Sequence, residues 1–247
     1  RVALTAALVL ALLPMHVRFG VKMLSEVFSV LVEVLAVLAA VVHVRSQRST
    51  LGWLVASALA FHITVRRENP IAAIPILVIY LWGRRKGFKP SVLPWLVALA
   101  LLAPYATEWS ELTFGYMEIP RRVNPVYYLH NLNYVSFWLD GHFQPFLFTA
   151  LVVLGVATLH RTRSQFVTLA ALWFVVRMAP YILHEPITTA TPVIHRYMIN
   201  AMVPYALLAG AGSRALCRSR GHLIAVLVLS GLAHLPFAYG PMFGDEL

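Results

Sequence analysis

The sequence predicts an all-α integral membrane protein, a bundle of about nine hydrophobic helices. Three observations predict it. Of 247 residues, 60% are hydrophobic and 12% charged, whereas a soluble domain is about half apolar and a quarter charged. The apolar residues gather into long runs that leave no polar face on which a soluble fold could be built. The charges fall between the runs, with basic and acidic loops alternating along the chain.

The runs are 2–17, 24–44, 50–65, 70–83, 91–106, 145–160, 165–183, 197–213 and 222–239. The first opens directly after Arg1 and closes at Pro14-Met-His-Val-Arg18. The second ends at Arg45 and Arg48, the third at Arg66-Arg67-Glu68, and the fourth at Arg84-Arg85-Lys86. The fifth leads into a long loop, 106–145, and the sixth ends at Arg161 and Arg163. The seventh stops before His184-Glu185-Pro186, the eighth begins after His195-Arg196-Tyr197, and the ninth follows Arg214, Arg218 and Arg220. Several runs fall short of the ~20 residues that cross a bilayer. Trp, Tyr, His and Arg at their ends extend them into the headgroup region. The whole chain, 1–247, reads as a single transmembrane domain.

Assigning alternate loops to alternate sides tests this count. One set holds Arg45 and Arg48; Arg84, Arg85, Lys86 and Lys89; Arg161 and Arg163; and Arg214, Arg218 and Arg220, with no Asp or Glu. The other holds Glu26, Glu68, Glu108, Glu111, Glu118, Asp140, Glu185, Asp245 and Glu246. The positive-inside rule places the first set in the cytoplasm. The N-terminus is then cytoplasmic and the C-terminus extracytoplasmic. The membrane expected is the plasma membrane of a prokaryote or the endoplasmic reticulum of a eukaryote. The formal charge of +10 follows from topology and anionic headgroups and calls for no nucleic acid. The single cysteine, Cys217, closes no intramolecular disulfide and reads as an inert thiol.

One acid lies outside the alternation. Glu33 sits near the middle of the second run, where a carboxylate is costly and must face the bundle interior. Arg177, inside the seventh run, is a candidate partner. A structural polar contact and a proton or substrate pathway both remain open for Glu33.

No P-loop, dinucleotide glycine pattern, His-Glu-x-x-His or nucleophile elbow is present. No cofactor is expected; a divalent metal has no visible ligand set. The outward side is richer. Three of its segments place Arg beside an acid or His at the membrane surface: Pro14–Glu26, Thr64–Pro70 and His184–Met198. Arg donates to a phosphate in pairs, and such residues also serve as interface anchors. The 106–145 loop combines aromatics, among them Trp109, Tyr128 and Trp138, with Glu108, Glu111, Glu118 and Asp140. That mixture suits a sugar, and equally suits helices lying on the bilayer.

In their order these segments resemble the GT-C type polytopic glycosyltransferases, above all the dolichyl-phosphate-mannose protein mannosyltransferases and the aminoarabinose transferase-like enzymes. The carrying residues are Leu12–Gly20 with Ser25-Glu26, Ala58–Phe61 with Val65–Glu68, Asn131–Tyr134, and His195–Pro204 followed by Leu207–Gly212. The resemblance implies a polyprenyl-phosphate sugar donor, a protein or lipid acceptor, and membrane lipid as surroundings. It implies that Arg196 holds the lipid phosphate, with His195, Arg66 and Arg67 behind it, and that Trp109, Tyr128 and Trp138 contact sugar or acceptor. The family's catalytic acid lies in a first large outside loop, which is absent here. The chain is therefore expected to be a fragment whose acid lies upstream of Arg1, with Glu26, Glu68 and Asp140 as weaker candidates. A secondary transporter, a polysaccharide polymerase or ligase and a non-catalytic scaffold subunit are the competing readings.

Overall fold

The structure, a computed structural model, describes residues 5–7, 9–10, 25–65, 69–116, 146–182, 198–217, 219, 221–222, 224–226 and 228–229. Every regular element among them is helical. The principal helices are α1 (Ser25–Ser46), α2 (Ser49–Val65), α3 (Ala73–Arg84), α4 (Leu93–Tyr116), α5 (Phe146–Leu159), α6 (Ser164–Ile182) and α7 (Met202–Leu216). Short 3-10 turns, Asn69–Ala72 and Met198–Ala201, lead into α3 and α7. Within α1, Phe28–Ser46 is by itself long and apolar enough to cross a membrane; α2 to α6 carry shorter apolar stretches.

These helices coincide closely with six of the nine runs and with most of a seventh. The clearest difference concerns the long loop. The fifth run was bounded at 106, but α4 continues through Pro104 to Tyr116. Hydropathy marks where apolar residues give way to Glu108 and Glu111; it does not mark where the hydrogen-bonded helix stops. Proline within a helix removes one donor, and here the helix continues past it.

The chain divides into two compact units, residues 28–122 and residues 1–27 with 123–247. In the first unit, α1 and α2 form a hairpin. Gln47 makes the turn with φ 56°, and its N–H bonds back to the His43 carbonyl at 2.8 Å, a left-handed helix cap. Helix α3 closes in the same way with a better residue. Gly87, φ 87°, donates to Arg84, and Phe88 donates to the Gly83 carbonyl, both at 3.0 Å. This is a Schellman motif, and it leaves Arg84, Arg85 and Lys86 exposed around the turn. Helices α2 and α4 pack through small residues, Ala56 and Ala60 against Ala98, with Trp95 and Leu102 alongside.

At one end of this unit His43 donates or accepts at 2.9 Å with the Tyr80 hydroxyl. The His43 ring meets Phe88 edge-on at a centroid distance of 4.9 Å, and Tyr80 meets Trp95 at 5.6 Å. These contacts bring the end of α1, the end of α3 and the start of α4 together. The basic segments Arg45–Arg48 and Arg84–Lys89 therefore share one end of the unit.

In the second unit α5 and α7 run in the same direction. Thr149 and Tyr205, near the two helix starts, share a 2.9 Å hydrogen bond, and Gly155 meets Gly212 further along. A Cβ on Gly155 would collide with the Leu208 carbonyl, and one on Gly212 with the Leu151 carbonyl. Only glycine lets two backbones approach this closely, the small-residue packing usual between membrane helices. The parallel sense puts Arg161 and Arg163, after α5, at the same end of the unit as Arg214 on α7.

Candidate functional site

Helix α1 is polarised in reverse of a soluble helix. Phe28, Leu31, Leu35, Leu38 and Val42 are all exposed, between 41% and 56%. Their three- and four-residue spacing makes them one stripe. Ser29, Glu33 and His43 point the other way and are buried. Ser29 and Glu33, four residues apart, lie one above the other on the inward face.

There they meet His62 of α2. The Glu33 carboxylate oxygen Oε2 lies 3.5 Å from His62 Nε2, and the Ser29 hydroxyl lies 3.4 Å from His62 Nδ1. Both distances are at the long edge of hydrogen bonding. On the exposed side of the same two helices the rings of Phe28 and Phe61 meet T-shaped at 5.8 Å. Glu33 and His62 are each 1% exposed and Ser29 not at all. A lone carboxylate in such a place costs several kcal/mol, about what removing a partner from a buried pair costs. The pair resolves this in two electroneutral forms: carboxylate with imidazolium, or carboxylic acid with neutral imidazole. Which of Ser29 and His62 donates follows from the tautomer of the imidazole.

Ser, His and an acid in a row also describe a nucleophile relay. Here the hydroxyl is sealed from any substrate. Glu33 lies about 12 Å along α1 from Ser25. The opposite cluster of His43, Tyr80, Phe88 and Trp95 is a packing junction, since its His hydrogen-bonds Tyr80 and its ring lies against Gly52.

Of the residues singled out in the sequence, Glu26 falls in the first turn of α1 and Trp109 on α4, with their side chains undescribed. Arg66, Arg67, Glu68, Tyr128, Trp138, Asp140, His195 and Arg196 lie outside the described residues. Glu33 is buried, as its position demanded, and His62 is a partner that sequence reasoning missed. Arg177, its candidate partner, is buried on α6 in the other unit. Among the described residues no group of three or more His, Cys, Asp or Glu could hold a metal ion. Cys217 is buried.

Comparison of the chain with family models, curated proteins and solved structures finds no match.

Proposed function

We propose that the chain is a nine-span membrane bundle that transfers a sugar from a polyprenyl-phosphate donor to an extracytoplasmic protein or lipid acceptor. The observation that carries the membrane reading is the reversed polarity of α1: its large apolar side chains face out while Ser29, Glu33 and His43 face in. Such a surface is stable where the solvent is hydrocarbon. The gathering of basic segments at one end of each unit supports a cytoplasmic face there, with the Ser29–Glu33–His62 group toward the other end of its unit.

The transferase reading rests on the resemblance of the outward segments. In it, Arg196 binds the lipid phosphate, assisted by His195, Arg66 and Arg67, and stabilises the charge on the departing group. An extracytoplasmic carboxylate takes the proton of the acceptor hydroxyl as general base, with inversion at the anomeric carbon. The test is transfer from a radiolabelled polyprenyl-phosphate sugar by vesicles holding the native gene product. Arg196→Ala should lower turnover by about 10²–10³-fold. Unchanged turnover would remove Arg196 from the site, and no transfer from any lipid-linked sugar would remove the reading.

A secondary transporter is the second reading, favoured by the buried Glu33–His62 pair, since intramembrane carboxylate–histidine contacts serve as proton relays. Solute uptake that acidifies the vesicle lumen and is lost in Glu33→Gln, without dependence on lipid-linked sugar, would select it.

A further inference from the structure

We propose that the unit 28–122 holds one acyl chain of an anionic phospholipid, drawn from the leaflet at its basic end, in a groove between α2, α3 and α4. The groove has a volume of about 510 Å³, within the ~300–1,000 Å³ of small-ligand clefts. Ala56 and Ala60 of α2 and Ala98 of α4 carve its floor, Leu77 of α3 forms a wall, and Trp95 and Arg84 stand at one end. The walls are otherwise carbon, so the occupant is apolar along its length. The small residues matter because larger ones at the same positions would fill the groove.

Charge decides what kind of apolar molecule fits. Arg84 lines the groove with its hydrocarbon stem and is exposed, so its guanidinium belongs to the rim and not to the wall. Arg85, Lys86 and Lys89 stand exposed beside it, and between Arg45 and Glu68 on one side and Lys89 and Glu108 on the other this segment contains no competing acid. A phosphate at Arg84 would receive paired N–H donors while its tail runs down the alanines. Length selects the source. From Arg84 to Ala73, the far lining residue of α3, the helix advances about 16 Å, roughly half of the ~30 Å hydrocarbon core. One leaflet-deep slot suits a glycerophospholipid tail and is too short for a polyprenyl chain. That the leaflet is cytoplasmic rests on the membrane orientation proposed above; the groove and its basic end do not.

The test reconstitutes the chain, with no sugar donor present, into phosphatidylcholine vesicles carrying a trace of diazirine-tailed phosphatidylglycerol, phosphatidylcholine or polyprenyl phosphate. Crosslinked peptides are then mapped by mass spectrometry. Phosphatidylglycerol should label residues 73–102 above phosphatidylcholine by about fivefold for each basic residue engaged. Arg84→Gln with Lys86→Gln should bring it down to the phosphatidylcholine level, and Ala98→Phe should abolish labelling of the groove by both. Equal labelling of the unaltered chain by the two phospholipids overturns the proposal, and that comparison needs no variant to fold. Stronger labelling by polyprenyl phosphate, or labelling indifferent to Ala98→Phe in a chain of normal helicity, also overturns it. A chain that fails to float with vesicles overturns the membrane reading itself; one that floats without headgroup preference overturns only the groove.

Discussion

Glu33 on α1 and His62 on α2 stand 3.5 Å apart, equally far in sequence from the Gln47–Arg48 turn that joins their helices. A hairpin of two straight helices brings residues so placed to the same depth. The contact is therefore built by the turn and by helical rise, and it supplies the neutralising partner that a buried carboxylate needs.

The first prediction follows from that dependence. Removing one member, by Glu33→Leu or His62→Leu, takes the 3.5 Å contact away from a buried polar group and should cost about 3 kcal/mol. Replacing both with Leu removes the need for compensation and should restore most of the loss. Unfolding of the four proteins in mixed detergent micelles measures the cycle. Additive losses would mean that the two residues do not act as a pair.

The second concerns the α5–α7 contact. Gly155→Ala and Gly212→Ala each drive a methyl group into a main-chain carbonyl, which has no rotamer to escape by. Each should cost about 2–3 kcal/mol, the upper part of the range for overpacking. Gly221→Ala is the control, because only the Ser219 hydroxyl lies near the added carbon, at 3.9 Å. Thermal melting of the three variants in detergent is the measurement. Equal stability for Gly155→Ala and Gly221→Ala would disprove the close crossing.

The third separates the two roles of the His43 cluster. Tyr80→Phe keeps the rings that pack on Phe88 and Trp95 and loses only the 2.9 Å bond to His43, for about 1 kcal/mol. His43→Ala also empties the space over Gly52 and beside Phe88 and should cost about 2–3 kcal/mol. Similar losses from the two would show that the hydrogen bond, not the packing, joins α1 to α3.

How far the sequence disclosed this arrangement depended on the kind of signal. The runs that became α1, α2, α5 and α6 were legible because each is bounded by charge. Glu33 was legible as an inward-facing residue because a carboxylate has nowhere else to go in such a helix. His62 was not, since a histidine in an apolar run names no partner; the one signal that could have found it is its distance from the turn at Gln47, which matches that of Glu33. The extent of α4 was missed because Glu108 and Glu111 end an apolar run without ending a helix. The groove was invisible in the sequence: Ala56, Ala60 and Ala98 read as ordinary helix formers until three helices were set side by side.

The fourth prediction tests the orientation on which the functional reading depends. Single cysteines placed by Arg48→Cys, Lys86→Cys and Arg161→Cys, in a Cys217→Ser background, sit on exposed positions after α1, α3 and α5. All three should be protected from a membrane-impermeant maleimide in intact cells and react once the membrane is opened, because basic loops are retained in the cytoplasm. Asp140→Cys, in the acidic set, should react in intact cells. The first two positions report on one compact unit and the third on the other, so a common result would orient both. Labelling of Arg48→Cys and Lys86→Cys from opposite sides would contradict the shared end formed by His43, Tyr80 and Phe88. Labelling of Arg161→Cys from the outside alone would mean that an odd number of crossings separates the units, and the nine-span count would have to change.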